Sequence, residues 1–171
     1  IKDVIFKNTE FNINANNVSF FNKILKKSGK QDKFLFKKSK LFYKDQNDEL
    51  LFLSKVDSLK FFYDDKNGFQ KVKTVFEIFN IPFKLNILKN IKNQNKDIEL
   101  ISKKIRLNLE SSIEYDNSEI SGFLDIDLFN KSNSFNYVIK DEKLNFLSED
   151  ENFSGGFNFK PFYFFSNLSF D

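Results

Sequence analysis

The acidic side chains are the best candidates for catalysis or metal binding in this chain. Asp125 and Asp127 are two residues apart, so a strand would point both carboxylates to one side. A catalytic carboxylate pair needs a cleft that shifts the pKa of one member, whereas most carboxylates lie on solvated faces. The segment 64–68 begins like a calcium loop but lacks the bidentate Glu at the required spacing. We interpret 125–127 as the outer face of a strand and 64–68 as a turn.

Several residue types on which enzymes rely are absent. The chain has no Cys, which removes disulfides and thiolate metal sites, and no His, which removes the usual general base. There is no glycine-rich phosphate loop, since Gly155 and Gly156 stand alone and fit a strand bulge or a turn better. We therefore expect no enzymatic activity, no catalytic residues, no cofactor and no metal site.

Charge and hydrophobicity favour a folded chain over a disordered one. Hydrophobic residues make up 40% of the 171 residues, and charged residues make up 30%. The net charge is +3, but Arg106 is the single arginine and the lysines alternate with acids, so we expect no nucleic-acid partner. No run approaches the roughly 18 apolar residues that a membrane-spanning helix needs. Because the sequence does not begin with Met, we expect a fragment of a larger protein, with any membrane anchor outside it.

Alternation of apolar and polar residues is the dominant pattern, and it predicts an all-β fold. Ile105, Leu107 and Leu109 alternate with polar residues, which places the apolar side chains on one face of a strand. Polar clusters rich in Asn, Asp and Gly separate such runs and predict hairpin turns. We expect an elongated antiparallel meander in which 41–43 pairs with 51–53. The remaining alternating runs are 59–63, 81–87, 105–115, 124–128, 135–139, 144–146, 157–159 and 162–164.

Residues 17–28 depart from this alternation. Val18, Phe21 and Leu25 fall on one helical stripe. Asn17 fits an N-cap at the start of the segment. We therefore predict one short N-terminal helix.

The two prolines indicate an internal repeat. Pro82 and Pro161 each precede Phe within a strand-like run. Because proline cannot donate a hydrogen bond to a sheet ladder, we expect each proline at an edge or a bulge. The similar phrases around them predict one β-repeat region over 1–171, made of two degenerate repeats at about 1–90 and 91–171.

The aromatic clusters allow two interpretations. The segments 61–63 and 162–165 place bulky residues on both faces of a strand. In one interpretation, the aromatic residues fill the closed core of a small β-sandwich. In the other, an open or half-closed sheet holds lipid on a concave apolar face, because burial of an acyl chain is worth about 0.8 kcal/mol per methylene.

Several phrases of the chain resemble the repeats of AsmA-like and TamB-type envelope proteins. They are residues 79–83, 104–109, 121–128 and 153–163, and the resemblance covers most of 33–171. It implies a taco-like β-groove in the periplasm of a Gram-negative cell, anchored to the inner membrane by a segment missing from this chain. It further implies that the groove carries phospholipid between the inner and outer membranes and supports outer-membrane biogenesis. The implied partners are phospholipid acyl chains, the inner membrane and outer-membrane proteins.

The resemblance also implies which residues line the groove. They are the apolar members of the alternating runs, and no catalytic residue accompanies them. The alternative is a β-sandwich interaction module that binds protein or glycan, and it predicts two sheets sealed against each other. The expected lining residues are Ile81, Phe83, Leu85, Ile87, Ile105, Leu107, Leu109, Leu124, Ile126, Leu128, Phe135, Tyr137, Phe157 and Phe159.

Overall fold

In a computed structural model of the protein, the described residues form thirteen β-strands in one sheet. The predicted all-β class is confirmed. The predicted N-terminal helix is not confirmed: residues 18–28 lie outside the described residues, and the residues that are described contain no helix. The structure describes residues 4–14, 17, 33–45, 47, 49–64, 66–116, 119–141, 143–159 and 162–168.

Apart from Ile105 and Arg106, the alternating runs lie within strands, because an extended backbone points successive side chains to opposite faces. A run whose apolar residues recur at every second position can therefore place all of them on one face only as a strand. The strands at 4–7, 10–13, 69–78 and 96–102 contain none of these runs. The strands are β1 (Val4–Lys7), β2 (Glu10–Ile13), β3 (Phe34–Lys44), β4 (Leu50–Asp64), β5 (Phe69–Ile78), β6 (Ile81–Asn90), β7 (Lys96–Ser102), β8 (Leu107–Asp116), β9 (Glu119–Leu128), β10 (Lys131–Lys140), β11 (Lys143–Ser148), β12 (Phe153–Phe159) and β13 (Phe162–Leu168).

The sheet is a meander that does not close on itself. From β3 to β13, each strand pairs antiparallel with the next one in the chain. At the other end, β1 and β2 lie one after the other along β3, and both run parallel to it. The two outer strand positions are therefore β1 with β2 on one side and β13 on the other, and the described strands include no second sheet.

The polar cluster before Phe69 forms a hairpin turn, as the sequence predicts, whereas the cluster at 130–133 lies mostly in β10. Asn67 and Gly68 lie between β4 and β5, and Gly68 has a φ of 69°. Asp64 closes this turn, since its carboxylate accepts hydrogen bonds from the Asn67 backbone N–H (3.2 Å) and side-chain amide (2.9 Å). Glycine suits this position because it adopts a left-handed backbone without steric cost.

A row of backbone irregularities, which we call the irregular line, crosses the N-terminal strands. It changes which residues share a face. Asn8, between β1 and β2, has a φ of 53°, and Lys38 in β3 has a φ of 50°. The register of β4 against β5 shifts between Val56 and Ser58, so Asp57 is an extra residue in β4. A bulge of this kind breaks the regular alternation. Odd-numbered residues of β4 lie on one face before the bulge and on the other after it.

The expected pairing of 41–43 with 51–53 is wrong by one residue. Leu41 pairs with Ser54, and Tyr43 pairs with Phe52. The one-residue difference puts the leucines of 51–53 on the opposite face of the sheet from Tyr43.

The expected position of Pro82 at an edge or a bulge is wrong, since it lies in the inner strand β6. It pairs with Glu77 of β5, while the registered pairs of β6 with β7 begin only at Lys84. Pro82 thus lies outside the β6–β7 ladder, and no ladder hydrogen bond is lost because proline has no N–H. An inner strand can therefore accommodate it. Pro161 lies outside the described residues.

Gly155 and Gly156 also differ from their expected role in a bulge or a turn. Both lie inside β12 and pair in unbroken register with β13. A Cβ on Gly155 would come within 2.5 Å of the Phe165 carbonyl oxygen and 2.8 Å of the Phe146 ring. The two glycines therefore allow close approach of backbone and aromatic rings.

Candidate functional site

One face of the sheet collects most of the apolar side chains of the described strands, and we call it the apolar face. Residues that pair across a ladder point to the same side, so the register defines the members of this face. The opposite side is called the polar face. The apolar face consists of Val4, Phe6, Phe11, Ile13, Phe34, Phe36, Leu41, Tyr43, Phe52, Val56, Leu59, Phe61, Tyr63, Val72, Phe76, Ile78, Ile81, Phe83, Leu85, Ile87, Ile98, Leu100, Leu107, Leu109, Ile113, Tyr115, Ile120, Leu124, Ile126, Leu128, Phe135, Tyr137, Ile139, Leu144, Phe146, Phe153, Phe157 and Phe164.

The apolar face is continuous from strand to strand, because its members stand opposite each other in register. Leu85 pairs with Leu100, which pairs with Leu109, which in turn pairs with Ile126. A parallel row follows one side-chain position further along the strands: Phe61, Val72, Ile87, Ile98, Ser111, Leu124 and Phe135.

The apolar face is aligned but not sealed. Among the described hydrophobic residues, only Val56 (8% exposed) and Phe61 (4% exposed) are buried. The other members of the face remain half-exposed or exposed. A closed core would bury many such side chains fully, so this face is available to something outside the described residues.

The N-terminal end of the apolar face holds an aromatic pocket of about 390 Å³. The rings of Phe6 and Phe36 stack with centroids 4.8 Å apart, and Phe11 meets Phe36 edge-on at 5.1 Å. Apolar side chains surround these rings, and Ser39 is the one polar residue among the described residues of the lining. The described residues of the lining are Phe6, Phe11, Ile13, Phe34, Phe36, Ser39, Leu41, Val56, Leu59, Phe61 and Val72.

Buried serines interrupt the apolar face, but their hydroxyls form hydrogen bonds within the sheet. Ser102 donates to the Pro82 carbonyl oxygen (2.8 Å), and Ser111 donates to the Phe123 carbonyl oxygen (2.8 Å). Ser39 donates to a carbonyl oxygen of its own strand (3.2 Å). A buried hydroxyl that already has a partner costs little. The floor of the apolar face therefore offers a ligand little unsatisfied polarity.

One side chain crosses the middle of the apolar face. Tyr137 of β10 reaches over Gly122 of β9 and brings its hydroxyl within 3.1 Å of the Ser111 hydroxyl on β8. A Cβ on Gly122 would lie 2.7 Å from the Tyr137 ring and still closer to the Ser112 carbonyl oxygen. Gly122 thus provides the space that the Tyr137 side chain occupies.

Charged side chains on the apolar face of β5–β13 are lysines near strand ends. Lys89 and Lys96 pair across the β6–β7 ladder, and Lys131 begins β10. Lys96 Nζ lies 2.5 Å from the Tyr115 hydroxyl and 4.9 Å from the centre of its ring. Over β5–β13, the described residues of this face include no carboxylate.

The polar face separates its charges into two groups of strands. Lysines predominate on β3–β6, where Asp64 and Glu77 accompany them, whereas β7–β9 carry acids and no basic residue on this face. Glu99, Glu110 and Asp125 stand directly opposite one another on three neighbouring strands. The lysines are Lys37, Lys40, Lys55, Lys60, Lys71, Lys73 and Lys84, and the acids are Asp97, Glu99, Glu110, Glu114, Asp116, Glu119, Asp125 and Asp127.

The carboxylates considered for chemistry lie in solvated positions. Asp125 and Asp127 are exposed on the polar face, as expected. In the described part of the chain, no three acidic side chains converge as a metal site requires. The side-chain amide of Asn67 lowers the pKa of Asp64, with help from the Asn67 backbone N–H. The Ser148 hydroxyl lowers the pKa of Asp150, and the Asn152 backbone N–H adds to this effect.

The register places nearly all of the predicted lining residues on the apolar face. Ile105 is the exception, because it lies in the turn before β8, where Arg106 has a φ of 47° and breaks the extended run. Phe159, which is also a predicted lining residue, lies at the end of β12, where its backbone pairs with that of Phe162. The members on the apolar face are Ile81, Phe83, Leu85, Ile87, Leu107, Leu109, Leu124, Ile126, Leu128, Phe135, Tyr137 and Phe157.

The sequence prediction missed the aromatic pocket at the N-terminal end. Phe6 and Phe11 come from two strands of four residues each, which are too short to show a clear alternation. Phe34 and Phe36 alternate correctly, but the irregularity at Lys38 hides their relation to the rest of β3. The alternation of Phe34 and Phe36 around Leu35 is the signal in the sequence that could have indicated this pocket.

The comparisons with known proteins give no match: no family model, no curated protein and no solved structure is similar to the chain. Among the described residues, no helix is long and apolar enough to cross a membrane.

Proposed function

We propose that this chain is a segment of a periplasmic envelope protein of the AsmA-like or TamB type. Its apolar face forms a curved, taco-like groove that holds phospholipid acyl chains and carries phospholipid between the inner and outer membranes. Through this transport, the full-length protein supports outer-membrane biogenesis, and a segment outside this chain anchors it to the inner membrane. The observation that carries the proposal is a continuous apolar face, twelve strand positions wide, of which only Val56 and Phe61 are buried among the described hydrophobic residues.

The dimensions of the apolar face suit acyl chains. Strands in a sheet are about 4.8 Å apart, so the ten steps from β3 to β13 span about 48 Å. A bilayer core about 30 Å thick contains two chain lengths, so one chain needs about 15 Å, or about three strands. Several acyl chains can therefore lie end to end along the face.

The energetics also favour a lipid. Burial of a 16-carbon chain is worth about 12 kcal/mol at about 0.8 kcal/mol per methylene, which a dry lining must supply when lipid leaves a bilayer. Rows such as Leu85, Leu100 and Leu109 offer apolar contacts without a break. Ser102 and Ser111 do not spoil this lining, because both donate to backbone carbonyl oxygens.

The alternative function, a β-sandwich interaction module, has less support. It requires two sheets whose inner faces seal a core, whereas the described strands belong to a single sheet. The apolar lining of the N-terminal pocket suits a lipid better than a glycan, so lipid carriage is the function we propose.

Photo-crosslinking in cells tests the proposal. A photoreactive amino acid replaces Phe83, Leu107, Ile126 or Phe159, and lipid adducts are identified by mass spectrometry. The matched control positions are the next residues on three of the same strands: Lys84, Asn108 and Asp127, which point to the polar face.

We expect phospholipid adducts from the apolar positions and none from the control positions. Adducts at neither set, or equal adducts at both sets, would overturn lipid carriage by this face.

A further inference from the structure

Three neighbouring turns at one end of the strands form a continuous surface, which we call the basic edge. It comprises the turns 79–80, 103–106 and 129–130 together with Lys131. The Lys104 ammonium donates to the carbonyl oxygen of Asn80 (2.8 Å), which joins the first two turns. The backbone N–H of Phe129 donates to the carbonyl oxygen of Arg106 (3.2 Å), which joins the last two turns.

Two phenylalanines project from the basic edge into solvent. Phe79 is 80% exposed and Phe129 is 62% exposed. Each is the first residue of a two-residue turn, with a φ of 50° for Phe79 and 52° for Phe129. A bulky side chain in this left-handed region is an outlier, since Gly, Asn and Asp are the residues that tolerate it. In the isolated fold, Phe at these positions stabilises neither the side chain, which is in solvent, nor the backbone, which is left-handed. This points to a partner that binds the rings.

The charges of the basic edge are all positive. Lys103, Lys104 and Arg106 are exposed in the middle turn, Lys131 is exposed beside the last turn, and none of the three turns contains an acid. The next turn at the same end of the strands, 149–152, carries acids instead. The positive charge is therefore confined to the stretch that carries the two exposed rings.

We propose that the basic edge docks onto an anionic phospholipid surface. The rings of Phe79 and Phe129 enter the boundary between headgroups and acyl chains, while Lys103, Arg106 and Lys131 face the phosphates. Aromatic tips next to cations suit such an interface, because it is apolar below and negatively charged above. A DNA duplex or an acidic protein would satisfy the cations but would leave two separated turn-tip rings in water. This inference goes beyond lipid carriage and does not require the apolar face to hold lipid.

Co-sedimentation of the full chain with vesicles tests the docking. The vesicles contain phosphatidylcholine alone or phosphatidylcholine with phosphatidylglycerol. We expect binding to the mixed vesicles only. The double variant Phe79→Asn with Phe129→Asn is expected to lower the partition coefficient at least about tenfold. Because Asn tolerates the left-handed backbone, the thermal unfolding midpoint should stay the same or rise.

A second pair of variants tests the cations. Lys103→Gln with Lys131→Gln is expected to lower the partition coefficient about fivefold for each charge removed. The matched control is Lys66→Gln with Lys92→Gln, which removes two exposed lysines from turns at the other end of the strands. The control for the rings is Phe123→Asn, since Phe123 is 44% exposed on the polar face.

The docking is overturned if the ring variants bind mixed vesicles as tightly as the unaltered chain, or if the controls weaken binding equally. Equal affinity for a DNA duplex, unaffected by the ring variants, would likewise overturn it in favour of a general polyanion site. Loss of docking leaves lipid adducts at Phe83 and Ile126 unaffected when the proposed function holds, so the two failures are distinguishable.

Discussion

The apolar and polar faces are built from alternate residues of the same strands, yet they distribute charge in opposite ways. On β5–β13, the apolar face carries Lys89, Lys96 and Lys131 near strand ends and no described carboxylate. The polar face carries many charges of both signs, and strand pairing sorts them into a lysine-rich group on β3–β6 and an acidic group on β7–β9. The comparison teaches that alternation assigns a residue to a face, whereas pairing decides which charges become neighbours.

The faces also differ in what their cross-strand rows contribute to stability. Leu100, Leu109 and Ile126 form favourable apolar contacts in a row. On the polar face, Glu110 and Asp125 are the neighbours of Leu109 and Ile126 in their strands. They pair as like charges, which costs about 0.2–1 kcal/mol. Water and salt screen this repulsion on the exposed face. We therefore expect the apolar face to hold the sheet together and the polar face to tolerate substitution.

The largest expected effect comes from a charge on the apolar face. Leu109→Asp removes apolar contacts on both sides and places a carboxylate in the row, so we expect the free energy of unfolding to fall by about 3 kcal/mol. The matched control is the next residue, Glu110→Gln, which should change stability by less than about 0.5 kcal/mol. Urea unfolding followed by circular dichroism measures both. Equal effects of the two variants would break the distinction between the faces.

A smaller effect is expected from a methyl group under Tyr137. Gly122→Ala places a Cβ against the Ser112 carbonyl oxygen and 2.7 Å from the Tyr137 ring, and overpacking of this kind costs about 2 kcal/mol. Gly68→Ala serves as the comparison, because Gly68 has open space around it and a φ of 69°. Its left-handed backbone alone should cost about 1 kcal/mol.

Thermal or urea unfolding of the two glycine variants distinguishes packing from backbone strain. Gly122→Ala should cost less stability when it is made in a Tyr137→Ala variant than when it is made in the unaltered chain. Gly68→Ala should cost the same in both. A Gly122→Ala variant as stable as the unaltered chain would show that the apolar face is not packed tightly at this point.

The smallest expected effect concerns acid. The pKa of Asp150 is lowered, first by the Ser148 hydroxyl and then by the Asn152 backbone N–H. A carboxyl whose pKa is lower in the folded than in the unfolded chain stabilises the fold above its unfolded pKa of about 4, and this contribution is lost as pH falls through the folded pKa. Asp150→Asn should therefore lose less stability than the unaltered chain between about pH 5 and pH 2. Identical acid profiles in urea unfolding would contradict the role of the Ser148 hydroxyl.

Regular hairpins were the part of the fold that the sequence could predict. The runs 81–87 and 124–128 alternate without interruption and lie within β6 and β9. The polar turn at 66–68 likewise agrees with turn chemistry. The position of residues such as Leu85 and Leu124 on the apolar face followed directly from that period. Ile105 shares the period but lies in a turn, because a left-handed backbone at Arg106 ends the strand and alternation carries no information about φ.

The N-terminal region could not be predicted in the same way. The irregular line through Asn8, Lys38 and Asp57 reverses the alternation, and nothing in the local sequence marks an extra residue. Pairing of β1 and β2 with β3 is parallel and joins residues distant along the chain, so no hairpin signal announces it. The aromatic pocket depends on both features and was missed for that reason.

The sequence by itself determined the strand class, the turns and the face to which most side chains point, because a two-residue period and turn residues act over a few positions. Tertiary structure alone decided that the sheet stays open, that acids collect on β7–β9, and that Phe79, Arg106 and Phe129 meet along one edge. Such groupings depend on which strands are neighbours and in what register. Register depends on bulges and on pairing between distant residues, and a local pattern contains neither.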